Sequence, residues 1–82
     1  MTRIQFASES VKRHYDALGG YVSFLAAKEL LGLEAGAVRS QVPVGQIGLH
    51  KISAGQDRQL VLGLDCRSAG KIRIIMVEVT RG

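Results

Sequence analysis

The sequence predicts an α+β domain with the order β-α-α-β-β-β, an antiparallel sheet carrying an αα-hairpin on one face. Three observations carry this reading. Apolar residues alternate in Thr2 to Phe6, shift to helical spacing from Glu9 to Leu31, and return to alternation in three stretches after Gln46. Helices segregated from most of the strands in this way build one sheet with helices on one side. The 82 residues leave room for a single domain, 1–82. A domain of that size buries only about 60% of its unfolded surface, so nearly every apolar position is needed in the core.

Thr2 to Phe6 puts Ile4 and Phe6 on one face of a short first strand. Ser8 then has the character of an N-cap, and Val11, Tyr15 and Leu18 follow at the spacing of an amphipathic helix whose other face carries Lys12, Arg13 and Asp16. Gly19-Gly20 stops that helix. A second is expected from Tyr21 to Leu31, with Val22, Leu25, Ala26 and Leu30 facing inward and Gly32 as its left-handed C-cap. Gly36, Pro43 and Gly45 break any regular element between 33 and 45, so this stretch is read as a loop whose Val38, Val42 and Val44 seek partial cover.

Gln46 to Ser53, Arg58 to Asp65 and Lys71 to Val79 are the remaining strands, joined at hairpin spacing by Ala54-Gly55-Gln56-Asp57 and Cys66-Arg67-Ser68-Ala69-Gly70. An antiparallel meander follows from this. Leu60, Leu62 and Leu64 should face the helices, as should Ile72, Ile74 and Met76 on the last strand.

Composition narrows the function classes. Hydrophobic residues at 46% and charged residues at 22% belong to a chain that folds. The longest apolar runs, Phe24 to Ala27 and Ile74 to Val77, fall far short of the roughly 20 residues a bilayer crossing needs. With no basic-then-apolar leader, a soluble, cytoplasmic protein without membrane contact is expected. Cys66 is the lone cysteine and has no ligand-spaced neighbour, so a spectator thiol, no metal and no cofactor are expected. Neither a phosphate-binding glycine loop nor a Gly-x-Ser-x-Gly turn occurs.

Net charge is +4, unevenly spread. Up to residue 38, Arg3, Lys12, Arg13 and Lys28 balance Glu9, Asp16, Glu29 and Glu34. From 39 on, seven cations face only Asp57, Asp65 and Glu78. A basic C-terminal half suits a nucleic acid or an acidic protein partner. Within it, Lys51 and Arg58 stand just before and just after the Gly55 turn, where they could converge on a phosphate. Arg73 and Arg81, with Arg67 and Lys71 beside them, are candidates to contact phosphate oxygens. His50 has the chemistry of a general base, but parity with Ile52 sets it on the other side of its strand from Lys51. His14, beside Lys12 and Arg13, reads as a surface residue.

The layout, with Arg3 to Lys12 at the start and Leu49-His50-Lys51-Ile52-Ser53-Ala54-Gly55-Gln56-Asp57-Arg58 in the middle, resembles the RelE/ParE superfamily of bacterial toxins from type II toxin-antitoxin pairs. Those proteins carry a Leu-x-Lys/Arg-x-x-x-Gly-x-Tyr-Arg hairpin; here Asp57 stands in the place of the aromatic. The resemblance implies a ribosome-dependent messenger endonuclease or a gyrase inhibitor held by a cognate antitoxin. In an endonuclease the ribose 2′-hydroxyl attacks the adjacent phosphate while Lys51 and Arg58 stabilise the developing charge. A second class stays open: a small non-enzymatic protein, encoded by a phage or plasmid, that binds and blocks a host or defence complex.

Overall fold

The computed structural model describes residues 2–81. β1 (Arg3–Phe6), α1 (Glu9–Asp16), α2 (Gly20–Ala35), β2 (Ile47–Ser53), β3 (Arg58–Asp65) and β4 (Lys71–Arg81) follow in order, and the strands form one sheet in the order β1-β4-β3-β2. The α+β class and the element order are those read from the sequence. The sheet, however, is mixed: β2, β3 and β4 form the expected antiparallel meander, while β1 runs parallel to β4, with Ile4 opposite Ile72 and Phe6 opposite Ile74. Chain direction explains the difference. α2 carries the chain back to the end where β1 began, and its Glu34 carbonyl accepts from Thr2 N–H at 3.1 Å. β2 therefore starts at the same end of the sheet as β1, though on the opposite edge, and two hairpin reversals return β4 to the same direction.

Leu60, Leu62, Leu64 and Ile74 are fully buried on the helix-facing side, with Val22, Ala26 and Leu33 of α2 and the flanks of Val11, Tyr15 and Leu18 against them. Ser8 caps α1, its Oγ accepting from Val11 N–H at 3.2 Å. The Phe6 and Tyr15 rings meet at 5.0 Å between centroids, which fastens α1 to β1.

Two sequence expectations change. α2 does not end at Leu31: Gly32 lies inside it, and the left-handed cap is Gly36, at φ 77°. Gly32 serves packing, since a Cβ there would collide with Val38 where the chain doubles back over the helix. On β4, Met76 does not face the core. Gly63 pairs with Met76 but Leu64 pairs with Ile74, so Ile75 is an extra residue and Val77 takes the inward position opposite Leu62. Gly63 sits at this bulge because a Cβ would come within 2.9 Å of Met76 Cβ.

The 36–46 loop is pinned to the free edge of β2. Gln41 Nε2 donates to the Lys51 carbonyl at 2.7 Å and its Oε1 accepts from Lys51 N–H at 2.9 Å, so one side-chain amide stands in for a missing strand. Val42, buried, covers Gly48.

Gly32→Ala tests the packing role. In an unconstrained helix this change stabilises by about 1 kcal/mol. Here it should destabilise by about 1–3 kcal/mol through displacement of Val38, read as a lower midpoint in urea.

Candidate functional site

Both helices lie on one side of the sheet, so the other side is bare. Alternation and register fix what it displays: Ile47, Leu49, Lys51 and Ser53 from β2; Gln59, Val61, Gly63 and Asp65 from β3; Lys71, Arg73, Met76, Glu78 and Thr80 from β4; Arg3 and Gln5 from β1. These residues sort into two zones. Across the middle run apolar residues of which Ile47 and Leu49 are about half exposed and Met76 is half-buried, while Val61 between them is covered by its neighbours. At the end where β1 and β4 begin is a cluster of cations around one carboxylate.

That carboxylate is Asp65. Arg67 grips it through Nε to Oδ1 and Nη2 to Oδ2, both at 3.0 Å, and adds its backbone N–H to Oδ1 at 3.0 Å. Arg73 pairs with Asp65 across the strands, Lys71 lies two residues along on the same face, and parallel pairing sets Arg3 beside Lys71. The Arg67 side-chain and backbone hydrogen bonds, reinforced by the charges of Arg67 and Arg73, hold the Asp65 carboxyl at about 2, against 3.8 for a free one. Hydrogen bonding to Asp65 raises the Arg67 guanidinium in turn. Asp65 thus neutralises one of four neighbouring cations and leaves a basic patch beside the apolar strip.

The expected site residues divide three ways. Arg67, Lys71 and Arg73 come together at this patch. Arg81 lies at the opposite end of β4 and pairs across the strands with Arg58; the two line a shallow depression with Gln56 and Asp57 at the tip of the β2–β3 hairpin. Lys51 and Arg58 are not brought together. Lys51 pairs with Val61 on the bare face, whereas Arg58 shares the helix-facing side with Leu60, so their side chains leave opposite surfaces of the sheet. Nearness across the turn held the two together in the sequence reading; parity separates them. Among the described residues the ion pairs are Lys12–Asp16 and Arg67–Asp65, and Glu29 is held by His50; none of these contacts involves Lys51, Arg58, Arg73 or Arg81.

His50 is on the helix-facing side, as parity required, and is almost wholly buried. Gln41 N–H donates to its Nδ1 at 3.0 Å, so Nδ1 carries no proton and Nε2 donates to Glu29 Oε2 at 2.5 Å. Both ring nitrogens are occupied in holding α2, the loop and β2 together, which leaves neither for proton transfer to a substrate. His14 is exposed on α1, and Cys66 is a buried thiol 3.8 Å from Ser40 Oγ. Among the described residues no three His, Cys, Asp or Glu side chains gather to hold a metal, and no helix is long and apolar enough to cross a membrane.

The sequence reading missed Arg3, Asp65 and the apolar strip as parts of one surface. Alternation of Ile47, Leu49 and Lys51 against His50 and Ile52 held the signal for the strip. Nothing local in the sequence sets Arg3 beside Lys71. Comparison with protein-family models, curated proteins and solved structures gives no match for this chain.

Because folding lowers the Asp65 pKa, its contribution to stability is fully present above about pH 4 and is lost as pH falls toward 2. Chemical denaturation of wild type and Asp65→Asn should give stabilities that differ most above pH 4 and converge toward pH 2.

Proposed function

We propose that this chain is a non-enzymatic binding protein that lays the bare face of its sheet on an acidic patch of a protein partner and blocks it, as a phage- or plasmid-encoded protein acting on a host or defence complex would. The observation that carries the reading is one face on which the Arg3, Arg67, Lys71 and Arg73 cluster adjoins the half-exposed Ile47 and Leu49, backed by the half-buried Met76. Apolar area flanked by charge is the anatomy of a protein interface, in which burial supplies affinity and complementary charge supplies orientation and on-rate. A protein partner is favoured over single-stranded RNA because no aromatic side chain on this face offers a platform for stacking bases. The four aromatic rings are elsewhere: Phe6 and Tyr15 against each other, Tyr21 and Phe24 on α2.

A second reading follows from the element order, which agrees with what the RelE/ParE resemblance implies. In that reading the chain is a toxin whose working surface is the hairpin tip, where Arg58 and Arg81 lie opposite each other. It requires an active centre without Lys51 on the same side.

Surface variants separate the readings. Tagged wild type should retain one acidic protein from nuclease-treated bacterial extract and release it as salt rises. Arg73→Glu and Leu49→Glu should each weaken binding to that purified protein at least tenfold, about 1.4 kcal/mol, in calorimetry. Binding that disappears on nuclease treatment would remove the protein-partner reading. Growth arrest on induction, relieved by Arg58→Ala and indifferent to Arg73→Glu, would establish the toxin reading in its place.

A further inference from the structure

α2 carries apolar residues on its uncovered side as well as on the side packed against the sheet. Val22, Ala26 and Leu33 are buried, and the exposed positions from Tyr21 onward are Tyr21, Phe24, Ala27, Lys28, Leu31 and Ala35. They form a single stripe, with Tyr21, Phe24 and Leu31 at 59%, 62% and 66% exposure and Lys28 as the one charge. The Tyr21 and Phe24 rings already stack, 6.5 Å apart, into an aromatic pad. Tyr21, Phe24, Lys28, Leu31 and Ala35 are spaced by alternating steps of three and four, the seam of a two-helix coiled coil rather than the wide face of a core helix.

We propose that this seam is a homodimer interface in which α2 packs antiparallel on α2 of a second copy of the chain. The seam is its own complement in one antiparallel register. Tyr21 meets Leu31 of the second copy and Phe24 meets its Lys28; the two-fold axis repeats both pairs. Each ammonium then lies over an aromatic face, which satisfies the only charge the seam would bury. A parallel arrangement would instead set Lys28 against Lys28. The distribution of charge points to the same partner. Lys12, Arg13 and Lys28 face Glu9, Asp16, Glu29 and Glu34 in the helices, so all of the chain's excess positive charge resides in the sheet and its loops. Two copies can therefore approach through their helices without opposing their cationic faces. The dimer does not rest on the reading of the sheet face, but it would turn both basic faces outward and make the assembly bivalent toward any partner they bind.

Sedimentation equilibrium of the full chain over a micromolar concentration series should give twice the monomer mass. Phe24→Glu and Leu31→Glu should each weaken self-association at least about a hundredfold with the far-UV circular dichroism spectrum retained, because both side chains lie on the uncovered side of α2. Oxidative crosslinking fixes the register. The double variant Tyr21→Cys/Leu31→Cys should form a disulfide-linked dimer, whereas Leu31→Cys alone should not. A monomer at every concentration, or a dimer indifferent to both glutamates, would overturn the proposal. Efficient crosslinking of Leu31→Cys to itself would overturn it equally, since only a parallel seam brings those positions together.

Discussion

The buried imidazole of His50 decides which way the edge strand faces. It receives a hydrogen bond from the Gln41 backbone and donates one to Glu29, so a strand, a loop and a helix meet on one ring. A one-residue slip of β2 would turn His50 to solvent and drive Lys51 into the core, leaving the Gln41 N–H and the Glu29 carboxylate without this partner. Losing a hydrogen-bonding partner in this way costs about 1–3 kcal/mol, a sizeable share of what a domain this small can hold in reserve. Everything displayed on the bare face follows from that register, because Ile47, Leu49 and Lys51 point outward only while His50 points in.

With β2 fixed, the two sides of the molecule acquire different physical characters. The helical side is nearly neutral and ends in the apolar seam of α2. The sheet side is basic and carries its own apolar strip. A single-layer sheet makes this separation possible: alternate residues of every strand go to opposite sides, so one strand such as β4 can supply Ile72 and Ile74 to the core and Lys71 and Arg73 to the surface. Asp65 is the organiser on the basic side. Its carboxylate gives Arg67 a fixed geometry within a group of like charges and offsets one of them, leaving Arg3, Lys71 and Arg73 as the excess.

Much of this was legible because the signals are local. Alternation of Leu60, Leu62 and Leu64 fixed the inward face of β3, Ser8 announced the start of α1, and the paired breakers at Gly55 and at Ser68 to Gly70 marked the hairpins. What the sequence did not reveal depends on chain paths rather than neighbours. The direction of β1 relative to β4 is set by where α2 delivers the chain. The inward position of Val77 is set by a bulge at Ile75 that alternation alone passes over. Gly32 has the appearance of a cap, and only the return of Val38 over the helix shows that it is there for space. The loop from 36 to 46 gave no pattern because its order comes from Gln41 reaching a strand ten residues away in the chain.

The separation of Lys51 from Arg58 is the most instructive failure of a local signal. Two cations flanking a tight turn are close in sequence, but Lys51 and Arg58 belong to opposite parities of a hairpin whose inward face is fixed by His50, Ile52, Leu60 and Leu62. Arg58 acquires a different neighbour, Arg81, directly across the strands. Like charges so placed cost up to about 1 kcal/mol. No side-chain carboxylate among the described residues pairs with either one. Asp57, the nearest acid in the chain, is in the left-handed region at φ 63°, a conformation Asp tolerates better than most residues with a Cβ. Asp57 thus has a role in forming this turn, and the cations that meet at the hairpin tip are Arg58 and Arg81 rather than Lys51 and Arg58.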